Sequence, residues 1–78
     1  MVEMKLVKTD NEKSMAYFHC LPESDENQAF DLEVDFENKK INFCSIKQNV
    51  YVAHAAWKVY DIFEETGKIP EKATAIWV

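Results

Sequence analysis

Between Ala29 and Glu37 every second residue is a large apolar one: Phe30, Leu32, Val34 and Phe36 alternate with Asp31, Glu33, Asp35 and Glu37. Side chains on an extended chain point alternately to opposite faces, so this period of two specifies a strand with one face in a core and one in water. Asn38-Lys39 suits a two-residue turn because Asn tolerates a positive φ. The hairpin this implies matches Phe36 with Ile41, Val34 with Phe43 and Glu37 with Lys40.

A second hairpin is expected upstream. Met4–Lys8 and Ser14–Cys20 flank the turn-forming run Thr9-Asp10-Asn11-Glu12-Lys13. Pairing Lys8 with Ser14 puts Leu6 beside Ala16 and Met4 beside Phe18, and leaves Glu3, Lys5, Tyr17 and His19 on the other face. Leu21 to Gln28 reads as an acidic surface loop opened by Pro22. The period then changes. From Val50 to Thr66 the residues Val52, Ala55, Ala56, Val59, Tyr60, Ile62 and Phe63 fall on one stripe of a helix, with Asn49 as its cap and Gly67 and Pro70 as its stop. His54, Trp57, Lys58, Asp61, Glu64 and Glu65 fall on the opposite side. Ala73–Val78 reads as a last strand. The expected architecture is a two-layer α+β domain, ββββαβ, with one helix on one face of a mainly antiparallel sheet of four or five strands. Residues 1–78 are expected to form a single domain, since a chain this short cannot build two cores.

That architecture leaves one sheet face without a helix. A helix of 17 residues is about 25 Å long and cannot cover both faces of such a sheet. On the second hairpin the open face is acidic. On the first hairpin and the last strand it holds Val7, Met15, Tyr17 and either Ile76 or Trp77, and an exposed apolar patch marks an interface.

The charges narrow the partners. Fourteen acids against nine bases give a net charge of −5, and all nine bases are Lys. A chain without Arg lacks the bidentate fork that reads phosphate or guanine, and its negative charge is repelled by nucleic acid and by anionic lipid. Neither partner is expected. No apolar run approaches the roughly 20 residues of a membrane-spanning helix, and Met1–Asp10 does not have the pattern of a signal peptide. Cys20 and Cys44 are therefore expected as free thiols in a cytoplasmic protein.

None of the usual chemistries assembles. The row Asp31, Glu33, Asp35, Glu37 invites a hard cation, yet residues two apart on a strand stand about 6.6–7 Å from each other, too far for all four to share one ion. His19 and Cys20 are neighbours that point to opposite faces, so His19, Cys20, Cys44 and His54 lack the paired spacing of a zinc site. Cys44 falls opposite Glu33 in the expected register, which disfavours a thiolate, Cys20 faces the core, and His54 reads as a solvated side chain. A single Gly rules out the glycine-rich phosphate and nucleophile motifs. No catalytic residue, metal or cofactor is assigned.

The function expected from these features is a small, acidic, non-catalytic protein-interaction module, a homodimer being the commonest form for such a chain. Its interface candidates are Trp57, Tyr17 and Trp77. Two alternatives come from other classes. Seven acids between Glu23 and Glu37, with no Lys among them, would steer the chain toward a basic protein; here the acidic surface is Asp31, Glu33, Asp35 and Glu37. A small enzyme or ligand-binding protein with its site between subunits would draw on Cys44, His54 and Asp61.

Overall fold

The alternating segment forms the strand expected of it, and a computed structural model describing residues 1–78 places that strand second from one edge of a five-stranded antiparallel sheet. The elements in chain order are β1 (Val2–Asp10), β2 (Met15–Pro22), a 3₁₀ turn (Glu26–Gln28), β3 (Phe30–Asp35), β4 (Lys40–Cys44), α1 (Val50–Thr66) and β5 (Lys72–Ala75). Spatially the strands run β4-β3-β2-β1-β5. Two hairpins thus lie side by side, and the chain crosses under them through α1 to add β5 at the far edge. The architecture is the expected two-layer ββββαβ. No helix is long and apolar enough to cross a membrane.

One face of the sheet and one face of the helix make the core. Val2, Met4, Ala16, Phe18, Cys20, Phe30, Leu32, Val34 and Ala75 meet Val52, Ala55, Ala56 and Val59, all buried. The helix has the expected bounds because both its ends are chemically specified. Asn49 Oδ1 accepts from the Val52 amide at 3.1 Å, satisfying one of the orphan donors of the first turn. Gly67 adopts φ 71°, where a side chain is strained, and its amide closes on the Phe63 carbonyl at 2.8 Å.

Both hairpins depart from their expected registers, each through a bulge. In the first, Leu6 pairs with Phe18 and Met4 with Cys20, not with Ala16 and Phe18. The turn occupies Asn11–Ser14, with Ser14 at φ 52°, so Asp10 meets Met15 and the ladder slips at Val7. The shift is even, so the face assignments of Glu3, Lys5, Tyr17 and His19 hold. Val7 itself is ejected to 58% exposure.

In the second hairpin the turn is Phe36–Lys39, and Asp35 pairs with Lys40. The Asp35 carboxylate accepts from the Asn38 amide at 3.0 Å and from Asn38 Nδ2 at 2.8 Å. An Asx turn of this kind competes with the ladder and ends the strand. Phe36 is consequently no strand residue; it drops into the core and stacks on Phe63 at 4.8 Å. A bulge between Glu33 and Val34 then makes Asn42 the extra residue, so that Phe43 opposes Glu33 and Cys44 opposes Leu32. Phe43 therefore lies on the open face, and Cys44 packs against the core instead of facing Glu33.

Two further expectations change. Leu21 and Pro22 belong to β2, where Pro22 is buried opposite Val2. Pairing of β2 with β3 ends at Cys20–Phe30, so the missing proline N–H leaves no ladder partner unserved. The last strand stops at Ala75, and Trp77 turns back onto the helix.

Candidate protein-docking surface

The three aromatic interface candidates do not share a face. Tyr17 sits on the open face of the sheet, in the middle strand. Its ring stacks on Phe43 at 6.2 Å with planes 13° apart, and the Lys8 ammonium lies 5.5 Å from its centroid. Neighbours on both sides thus cover much of Tyr17. Beyond Tyr17 and Phe43 this face carries a row of ionisable side chains across the strands. His19 stands between Asp31 on β3 and Lys5 on β1, and Lys5 stands beside Lys72 on β5.

His19 is the most tightly held group on this face. Nδ1 lies 2.9 Å from Asp31 Oδ1, and Nε2 lies 3.0 Å from Glu26 Oε1. Both carboxylates only accept, so both contacts are hydrogen bonds only when the ring carries two protons. The Asp31 bond first, and the Glu26 bond second, raise the His19 pKa above 6.5 against an opposing effect of burial. The ring thereby staples the 3₁₀ turn to the sheet. Asp25 caps that turn, accepting from the Asn27 amide at 2.9 Å and from Gln28 Nε2 at 3.1 Å.

The acidic-surface candidates divide in the same way. Asp31 holds His19, and Glu33 accepts from Asn42 Nδ2 at 2.6 Å. Asp35 is no surface acid: it is 6% exposed, because its side chain is drawn in to cap the Phe36–Lys39 turn. Its bonds to the side chain and then the backbone of Asn38 lower its pKa. Glu37 alone of the four is fully exposed without a bonded partner in the hydrogen-bond or ion-pair network.

Exposed apolar side chains occur on the sheet, at Val7 and Phe43, and also where the helix borders the end of β5. Trp57 is 59% exposed and Ile76 is 77% exposed. Between them lies a shallow groove lined by His54, Trp57, Lys58, Asp61, Ala75 and Ile76. On its other flank Trp57 borders a second groove that runs toward β4 past Ala53, Ala56, Tyr60 and Ile41. Trp57 is therefore a ridge between two concavities, with no strand or loop over it. Its orientation is fixed from below. The His54 ring stacks flat on Trp77 at 4.0 Å with planes 3° apart, and Trp57 meets the His54 ring nearly edge-on at 5.2 Å. Tyr51 closes the other side of Trp77 at 5.5 Å. His54 is thus a packed member of an aromatic stack, in place of the solvated side chain expected of it. Trp77 is partly buried in this stack and packs against the core.

Catalytic groupings are not brought together within the chain. Cys44 is on β4 and His54 faces β5, at opposite edges of the sheet. Cys20 is buried, and burial pushes its thiol up to about 12, with Cys44 and Asp31 adding to the shift. No group of three or more His, Cys, Asp or Glu side chains is arranged to hold a metal ion. The largest concavity, about 450 Å³, is an open polar hollow beside the first hairpin turn, lined by Lys8, Asp10, Glu12, Tyr17 and Glu33 among others. Comparison with known proteins returned no matching family model, no matching curated protein and no matching solved structure.

The sequence pattern placed Trp57 on the outer side of the helix but carried no sign of the His54–Trp77 stack. That contact spans 23 positions and depends on where β5 ends, which no local period encodes.

Proposed function

We propose that this protein is a small, non-catalytic protein-interaction module that docks a partner through the helix surface centred on Trp57. The observation that carries the reading is the exposure of Trp57 on a ridge whose base is held rigid by His54 and Trp77. A large indole lacking intramolecular cover, flanked by two grooves of mixed apolar and polar lining and rimmed by Lys58 and Asp61, has the make-up of an interface anchor with a polar rim. The rigidity matters because an anchor already ordered in the free protein loses little entropy on binding. Two unpaired thiols, Cys20 and Cys44, suit a cytoplasmic setting.

The basic-protein reading draws less support. Of the seven acids from Glu23 to Glu37, all but Glu37 are hydrogen-bonded within the chain. Asp31 and Glu26 share the His19 ring and Glu23 is paired with the N-terminal ammonium, and a carboxylate with a cation already beside it contributes less to steering a cationic partner.

The test is the native particle mass in gently lysed host cells, compared between the wild type and Trp57→Ser. Trp57 is 59% exposed and stands outside the buried core cluster, so the variant is expected to keep its circular dichroism spectrum. The wild type is expected to migrate above its 9.1 kDa and the variant to fall back to it. Identical migration of both at the monomer mass would refute the reading.

A further inference from the structure

We infer that the partner of the Trp57 surface is a second copy of this chain, bound by antiparallel pairing of the two α1 helices across a two-fold axis at Trp57. This inference rests on the docking reading above. It starts from spacing. Val50, His54, Trp57, Asp61 and Glu64 follow one another at alternate steps of four and three along α1, which is the spacing of a continuous seam on one side of a helix. These residues sit on the side away from the core, whose helical contribution is Val52, Ala55, Ala56 and Val59.

The seam is polarised. Its N-terminal half, Val50, Tyr51, Ala53, His54 and Trp57, contains no acid; its C-terminal half carries Asp61, Glu64 and Glu65, of which Glu64 is already paired with Lys39 of the same chain while Asp61 and Glu65 have no cation beside them. No basic residue occupies the last turn of α1 and no acid its first. The acids thus sit against the negative end of their own helix dipole, the unfavourable arrangement. A parallel copy would lay acid on acid. An antiparallel copy reverses every mismatch: each acidic C-terminal half meets the acid-free, positive-dipole half of the other helix.

Side chains fall into place about such an axis. With Trp57 against Trp57 at the centre, His54, one turn before it, comes opposite Asp61 of the other copy, one turn after, and the symmetry supplies this pair twice. Lys58 lies next to the indole of the second Trp57, where an ammonium is attracted to the ring face. Ile76, exposed on the wall of the same groove, enlarges the contact toward β5. A stable interface takes roughly 800 Å² from each partner. That is about a sixth of the 5015 Å² that one chain exposes. A self-complementary patch of this kind closes on itself as a C2 dimer.

Two measurements test this together. Sedimentation equilibrium of the purified chain at about 0.1 mM, where a dimer of micromolar Kd is nearly all assembled, is expected to give twice the mass of one chain. Trp57→Ala should weaken assembly at least tenfold, as loss of a central aromatic anchor does. Asp61→Lys, at an exposed position, should weaken it as well while leaving the circular dichroism spectrum unchanged. A monomer at that concentration, or an Asp61→Lys chain as dimeric as wild type, would overturn the inference. In parallel, a benzophenone amino acid at Ala53, beside Trp57 in the groove, is irradiated in the host cell. Crosslinking to another copy supports the inference. Crosslinking only to a different protein overturns it and leaves the docking reading standing. No crosslink, with a monomeric purified chain, overturns both.

Discussion

The hydroxyl of Tyr60 is buried and has no hydrogen-bond partner, and this gives a quantitative prediction of unusual sign. The ring is well placed: it meets Phe36 edge-on, with centroids 6.0 Å apart and planes at 89°. The oxygen is the misfit. Asp35, the nearest acid acting on it, has its carboxylate committed to Asn38. Leaving a buried hydroxyl unpaired costs about 1–3 kcal/mol, and removing it while keeping the ring returns part of that. Tyr60→Phe should therefore stabilise the fold by about 1 kcal/mol, which for a domain of this size raises Tm by about 4–8 °C. Urea unfolding followed by circular dichroism is the assay, with an unchanged m-value as the sign that both states are otherwise the same. Alkaline titration adds an independent arm. Burial, and secondarily Asp35, pushes the Tyr60 phenol up to about 12. A raised folded-state pKa means the neutral form is favoured by folding, so this contribution is intact below the unfolded value of about 10 and is lost as pH rises toward 12. The wild type should lose more stability than Tyr60→Phe across that interval. A Tyr60→Phe variant less stable than wild type by more than about 0.5 kcal/mol would refute the reasoning, because the hydroxyl would then be making a bond worth keeping.

Other expectations concern the sheet. The His19 ring, held by Asp31 and then Glu26, should titrate above 6.5 by ¹⁵N NMR, with both ring nitrogens protonated below its folded-state pKa; a ring that titrates at or below 6.5 defeats the staple. Because the folded pKa is the raised one, its stabilisation is full below the unfolded value and fades as pH climbs through the folded one. Asp35→Ala should lower Tm clearly while Glu37→Ala hardly changes it, and the Asp35 contribution, from a lowered pKa, should disappear as pH falls through the folded value. Equal effects in thermal unfolding would show that the turn does not need its cap. A maleimide reagent should modify Cys44 in the native protein and reach Cys20 only on unfolding, since Cys20 is fully buried; simultaneous labelling would contradict the core assignment. Leu32→Ala, at a site with no exposure, should cost about 2–5 kcal/mol in chemical denaturation.

How far the sequence could be read depended on whether a feature was specified locally. The helix was legible from Asn49 to Gly67 because its stripe and both caps lie within one continuous segment. The faces of β1, β2 and β3 were legible too, since parity survives an even shift of register, but Phe43 and Cys44 on β4 exchanged faces because the Asn42 bulge shifts that ladder by one. What failed was counting along the ladders. The alternation runs on through Phe36 and Glu37, so period alone extends β3 past the point where the Asp35 carboxylate turns the chain. Val7 and Asn42 look like ordinary strand residues, and only the paired partner reveals them as bulges. The same holds for the docking surface. Trp57 was identified from its angle on the helix, whereas the support beneath it comes from Trp77, whose position follows from the end of β5. Phe43 reached the open face beside Tyr17 only because of the Asn42 bulge.

The slip at Val7 has a consequence for the life of the protein in a crowded solution. β5 pairs with Val2–Lys5 and the Leu6 amide closes on the Glu71 carbonyl at 2.8 Å, so from Val7 to Asp10 β1 has no strand beside it on that side, and an unpaired strand border is the kind of template on which fibrils grow. A bulge at Val7 twists that border away from flatness, and Lys8 beside it adds a charge that a stacked neighbour would have to bury. The irregularity that spoiled the simple register is thus a guard against strand-by-strand aggregation, and straightening it by deleting Val7 should trade solubility for regularity.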